Sequence, residues 1–145
     1  MSKQGITVDR LMTSTVVTVE MDDSLSVVKD IFDNTSFHHL LVVNDKRLLG
    51  VVSDRDLLKA LSPHLGTAAE TLRDLRSLDI KVHQVMTREA IILPPQASIY
   101  DAVEVFNREK ISCIPIVDSK KHVVGILTWR DILRALEKKH KRVES

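Results

Sequence analysis

Apolar residues in this chain fall into short blocks whose spacing alternates between the two-residue period of a strand and the three-to-four-residue period of a helix. Val16-Val17-Thr18-Val19 and Ile91-Ile92-Leu93 are β-branched or aliphatic runs closed by Glu20–Asp23 and by Pro94-Pro95, and both read as strands. Ser24 and Ser98 follow as N-cap candidates. They lead into Leu25, Val28, Ile31 and Phe32, and into Ile99, Ala102, Val103 and Phe106, at helical spacing. Leu40–Val43 with Leu48–Val52, and Ile114–Val117 with Val123–Leu127, are paired apolar runs across the turn formers Asn44–Arg47 and Asp118–His122, and predict two hairpins. Ser53 and Thr128 then cap a last helix in each series, through Leu57, Leu58 and Leu61 and through Ile132, Leu133 and Leu136. The predicted unit is β-α-β-β-α, written twice.

The two copies also match residue by residue. Val-x-x-x-Met-Thr occurs at Val8–Thr13 and Val82–Thr87, and each copy closes with Ser/Thr-x-Arg-Asp, as Ser53-Asp54-Arg55-Asp56 and Thr128-Trp129-Arg130-Asp131. Val8–Val43 aligns with Val82–Val117 without a gap. One extra residue before Gly125 then brings Gly50 onto Gly125 and Leu61 onto Leu136. Such a repeat is one supersecondary unit used twice, each copy covering the apolar face its twin leaves open. The organisation expected is repeat 1 over 8–61, a linker over 62–81, repeat 2 over 82–136 and a basic tail over 137–145. Within the linker, Ser62-Pro63-His64-Leu65-Gly66 breaks the chain, and Leu72, Leu75 and Leu78 predict a connecting helix whose apolar stripe lies against the core. The basic run Lys138–Arg142 reads as a solvated helix end complementing the C-terminal carbonyls.

A length of 145 residues suits one core built from two half-size units. With 43% hydrophobic and 28% charged residues and a net charge of +1, the composition is that of an ordinary globular protein, and generic nucleic-acid binding is disfavoured. No apolar stretch approaches the ~20 residues of a membrane span. The opening Met-Ser-Lys-Gln-Gly lacks the apolar segment of a secretion signal, and the single cysteine, Cys113, has no internal disulfide partner. A cytoplasmic location without membrane insertion is the expectation.

Taken in order, these features resemble the cystathionine β-synthase (CBS) domain pair, or Bateman module: Met-Thr, an aliphatic strand, a Ser-initiated helix, Ile111-Ser112-Cys113-Ile114-Pro115-Ile116-Val117-Asp118, and Gly125-Ile126-Leu127-Thr128-Trp129-Arg130-Asp131. The resemblance spans nearly the whole chain, from about Val8 to Leu136. It implies an α+β fold of tandem β-α-β-β-α CBS repeats packed about a pseudo-twofold axis. Two clefts would receive adenine nucleotides or other adenosyl compounds such as S-adenosylmethionine. It also implies a homodimer paired face to face.

The residues make such clefts chemically reasonable. A helix beginning at Ser53 or Thr128 offers unpaired backbone N–H groups to a phosphate. Asp56 and Asp131, one turn further on, can accept both hydroxyls of a ribose, and Arg55 and Arg130 are either phosphate clamps or solvated first-turn residues. Ile111 and Ile114, with the strand aliphatics Val17 and Ile91, would sandwich the base. Ser/Thr-x-x-Asp is equally a capping box, in which the aspartate returns to the cap's own N–H. Both readings stay open.

The copies differ where Phe37-His38-His39-Leu40-Leu41 stands in the first and Pro115 is kept in the second. The first stretch resembles the Ile-His-Arg-Leu-Pro segment of AMP-sensing members, whose two polar residues touch phosphate; His38 and His39 take those places, and Ser112 and Cys113 take them in the second copy. Neighbouring strand residues face opposite ways, so at most one ring serves a given cleft, and phosphate contact, a structural histidine and metal binding are the alternatives. No metal site is expected. Cys113 reads as a small strand residue, since nothing near it supplies a nucleophile's base. Trp129 is assigned to base stacking, a subunit interface or partial burial. No Gly-rich phosphate loop, i,i+4 metal pair or nucleophile elbow occurs, so no catalytic residues, no enzyme activity and no required cofactor are expected. The expectation is a regulatory adenosyl-ligand module acting on a target protein the sequence does not name. The alternative is a ligand-free dimerisation or docking module for an enzyme or transporter.

Overall fold

The computed structural model describes residues 5–144. They form two compact units: one runs Val17–Glu89, and the other joins the described residues up to Val16 to those from Ala90 onward. The lead-in of each sequence repeat therefore folds with the body of the other. Val8–Thr13 belongs with the second hairpin, and Val82–Thr87 with the first.

Within Val17–Glu89 the order is β1 (Thr18–Val19), α1 (Leu25–Asn34), β2 (His39–Asn44), β3 (Arg47–Ser53), α2 (Asp54–Ala60), α3 (Leu72–Leu75) and β4 (Thr87–Arg88). The sheet order is β1-β2-β3-β4, with β1 parallel to β2 and the other pairs antiparallel. Asn44 pairs with Arg47 across Asp45 and Lys46, both at positive φ (50° and 71°), which is the type I′ signature of a two-residue hairpin. The buried face of β2 and β3 (Leu40, Val42, Val52) meets Leu25 and Val28 of α1 and Leu57 of α2, and Val82 and Met86 of the lead-in close the core.

The second unit contains α4 (Ile99–Arg108), β5 (Cys113–Val117), β6 (Val123–Thr128) and α5 (Trp129–Glu144). β5 and β6 form an antiparallel pair, and Thr13 bridges Ile126. Its core is Val8, Ala102, Val105, Ile114, Ile116 and Leu127. Each lead-in sets a methionine over a strand glycine: a Cβ on Gly125 would run into the Met12 side chain, and one on Gly50 would sit 2.7 Å from the Thr87 carbonyl oxygen and 3.1 Å from Met86 Sδ.

Two expectations are corrected. The strand expected at 91–93 is reduced to a single parallel bridge, Leu93 to Ile116. The reason lies in its partner strand. Leu41 N–H donates to the Val17 carbonyl at 3.3 Å, whereas Pro115, at the matching place, has no N–H to offer Ile91. The connecting helix shrinks to the four residues of α3 and a 3₁₀ turn, Arg76–Asp79, and Leu72 and Leu75 face solvent; Ile80 packs on the core in their stead. Ser24 sits at the N-cap as expected, though its side chain makes no cap bond, and Val27 stands where Asp101 accepts the Ser98 N–H in the other unit. The basic run is the last turns of α5, which continues to Glu144.

Candidate functional site

Each unit gathers its own set of candidate residues, because the Ser/Thr-x-x-Asp segment follows directly on a hairpin strand and so lies beside the strand that opens the hairpin. Cys113 stands opposite Thr128, and His39 opposite Ser53.

Asp131 is the one charged side chain that the described residues bury, at 8% exposure. Its Oδ2 accepts the Thr128 N–H at 2.9 Å and the Thr128 hydroxyl at 3.2 Å, and its Oδ1 accepts the Thr13 hydroxyl at 3.3 Å. The Asp131 N–H donates to Thr128 Oγ1 at 3.3 Å, and the Arg134 guanidinium lies 3.8 Å away. A buried carboxylate is tolerated only when its lone pairs are occupied in this way. The arrangement is a capping box to which Thr13 adds a third donor group. The sequence marked Thr13 only as part of a repeat signature. What reveals its role is the exchange of lead-ins, which carries it 118 positions to its partner.

The other unit is built more loosely. Ser53 and Asp56 form a reciprocal capping box, with Ser53 N–H to Asp56 Oδ2 at 2.9 Å and Asp56 N–H to Ser53 Oγ at 3.1 Å. Thr87, the counterpart of Thr13, is exposed in β4 and makes no side-chain hydrogen bond among the described residues. His38 precedes β2 and His39 opens it. His38 is exposed, its Nδ1 2.9 Å from Asp54 Oδ2, and its carbonyl accepts the Asp54 N–H at 3.0 Å. His39 is half-buried, and that burial holds its imidazole below the ordinary value, with the Asp54 charge pulling the other way.

The remaining candidates separate by depth. Arg55, Arg130 and Ser112 are exposed, and neither arginine makes an ion pair among the described residues. Ile91, Ile111 and Val17 are half-buried against their respective cores. Ile114 and Pro115 are fully buried, so their side chains lie beneath the surface that the others form. Cys113 is buried, and burial pushes its thiol up to about 12, which leaves it protonated and unreactive at neutral pH. Trp129 points outward from the first turn of α5.

A shallow depression of about 380 Å³ lies at the opposite end of the β5–β6 hairpin from Thr128, lined by Ile92, Pro94, Pro95, Gln96, Val117, Asp118 and Ser119, and includes none of the candidates. Among the described residues no cluster of His, Cys, Asp and Glu is arranged to hold a metal ion, and no helix is long and apolar enough to cross a membrane.

A family model described as CBS domain matches residues 8–63 and again 82–138. Uncharacterized protein MJ1426 of Methanocaldococcus jannaschii is 29% identical over 149 residues, 87% of this chain and 88% of that protein. The inosine-5′-monophosphate dehydrogenase of Thermoplasma acidophilum is 28% identical over 118 residues, which is 81% of this chain but 21% of the enzyme. Among solved structures, CBSX2 in complex with AMP, a CBS-pair protein of Arabidopsis thaliana, matches with a TM-score of 0.78 at 26% identity, over 94% of this chain and 99% of that one.

Proposed function

The chain belongs to the CBS-domain family, and on that premise we propose that it is a regulatory module that binds an adenosyl ligand and converts occupancy into a change of conformation or of affinity for a target protein. The ligand would be an adenine nucleotide of the AMP, ADP or ATP type, or S-adenosylmethionine. One observation carries the reading: a buried carboxylate, Asp131, held between the hydroxyls of Thr13 and Thr128 at the first turn of a long helix, with the exposed Arg130 beside it. A ribose diol can exchange with those hydroxyls on the carboxylate, while the N–H end of α5 and Arg130 meet phosphate. Ile91 and Ile111 border the base. In the other unit Val17, His38 or His39, Ser53, Arg55 and Asp56 take the same parts in a weaker site. The AMP held by CBSX2 supports the ligand class. None of these contacts calls for bond making, so the module is a binder and not a catalyst. A cytoplasmic homodimer is the assembly we propose.

Calorimetric titration with ATP, ADP, AMP and S-adenosylmethionine, with and without magnesium, tests the reading. We expect saturable heat with at least one of them; no heat and no thermal shift with any at millimolar concentration overturns it.

A second reading has one specific observation in its favour. Both Ser/Thr-x-x-Asp segments are satisfied as capping boxes without a ligand, as a dimerisation or docking module with empty clefts would have them. The same titration separates the two.

A further inference from the structure

A row of positive charge runs along α5, past the candidate site and out to the end of the helix. Arg130, Arg134, Lys138 and Arg142 stand four residues apart, with Lys141 beside the last of them, and all five are exposed. Between Arg130 and Arg142 there are six Lys and Arg against two Asp and Glu, in a chain whose net charge is +1. The nearest carboxylates hold the row loosely: Arg134 lies 3.8 Å from Asp131 and Lys141 3.8 Å from Glu137, both beyond hydrogen-bond distance. Arg130 and Lys138 form no ion pair among the described residues. The first copy does not carry the row. There it stops after Arg55 and Lys59, because α2 ends at Ala60 and Pro63 stands in the place of Lys138.

We infer that this row docks an acidic helix of the target protein, and that a nucleotide phosphate held by Arg130 takes the first place of the row away from it. Steps of four residues rise ~6 Å each and form a ridge inclined by about 26° to the axis, the direction along which a second helix lays its own four-residue row. Carboxylates spaced four apart on that helix repeat the same step, so each meets one cation. Other anions fit less well. A bilayer that buried Trp129, Leu133 and Leu136 would leave the row about 150° around the helix, on the aqueous side. Single-stranded nucleic acid is held by aromatic side chains set among the cations, and the row contains none. Arg130 joins the row to the candidate site, being next to Asp131 in the chain. A phosphate there takes up its guanidinium and repels the nearest carboxylate of the docked helix. Loss of one exposed pair is worth about two- to fivefold in affinity. This competition rests on the nucleotide reading above, whereas the row itself does not.

Two labelled alanine-based peptides of about 20 residues, long enough to be helical alone, serve as probes. One carries Glu at every fourth position, and the other has the same composition with Glu placed irregularly. In anisotropy titrations at low salt, where exposed charges are least screened, the first should bind the full chain at least about tenfold more tightly than the second. Lys138→Glu combined with Lys141→Glu, both at exposed positions, should weaken it at least about tenfold with an unchanged circular dichroism spectrum. Saturating AMP, or whichever of ADP and ATP binds more tightly in calorimetry, should weaken it about threefold. No binding of the first peptide, equal binding of the two, or tighter binding of an oligothymidylate of equal charge or of phosphatidylserine vesicles would each overturn the docking row. A nucleotide that gives heat yet leaves the peptide affinity unchanged overturns the competition at Arg130. If none of the three nucleotides gives heat, that competition falls with the nucleotide reading, and the peptides alone decide the row.

Discussion

Asp131 is under two demands, since the oxygen atoms that a ribose would need are the ones that close the capping box and hold Thr13. Replacing it with alanine tests which demand dominates. Loss of a cap costs about 1 kcal/mol, up to ~2. If the carboxylate also binds ribose, Asp131→Ala loses at least about tenfold in nucleotide affinity, a ~1.4 kcal/mol effect, while Asp56→Ala spares the second-unit site. A stability loss beyond ~2 kcal/mol in urea with unchanged affinity would assign Asp131 to capping alone. His39 gives a pH prediction whose sign is fixed by its surroundings. Burial lowers its folded value below 6.5, so the unfolded chain takes up the proton first as pH falls. The stability it contributes is fully present above about 6.5 and is lost as pH falls toward the lowered value. The urea midpoint should therefore drop more between pH 7.5 and 5.5 in the wild type than in His39→Gln. Equal drops would place the sensitivity elsewhere.

At the scale of elements, the two hairpins and the helices that follow them were legible because their signals are local: alternation, turn formers, and a Ser or Thr three residues before an Asp. What escaped the sequence depends on partners distant along the chain. The run Ile91–Leu93 has strand composition, yet its ladder fails because the missing donor belongs to Pro115. Leu72, Leu75 and Leu78 have helical spacing, yet the helix ends at Leu75, Leu72 and Leu75 face solvent, and it is Ile80 that packs on the core. Thr13 was invisible as a site residue until the exchange of lead-ins placed it on Asp131. That exchange also sets the cost of two substitutions. An alanine at Gly50 would press on backbone, the Thr87 carbonyl oxygen at 2.7 Å, whereas one at Gly125 would press on the flexible Met12 side chain. Overpacking costs about 1–3 kcal/mol. Gly50→Ala should fall at the upper end and Gly125→Ala below it. Adding Met12→Ala should recover part of the loss for Gly125→Ala and none for Gly50→Ala, which a double-mutant cycle in urea would measure.

For the whole molecule, linkage ties the proposed ligand to the proposed homodimer. A ligand moves the balance between monomer and dimer only if its affinity for the two differs. Linkage then fixes a reciprocal result. If AMP changes the dimerisation constant by some factor per site, dimerisation changes the AMP affinity by the same factor, which for couplings of ~1–3 kcal/mol is about 5–150-fold. Sedimentation with and without saturating AMP gives one side of the cycle, and AMP titrations at protein concentrations below and above the dimer midpoint give the other. If AMP binds with one affinity at both concentrations, the nucleotide leaves self-association untouched and acts on the target protein by another route.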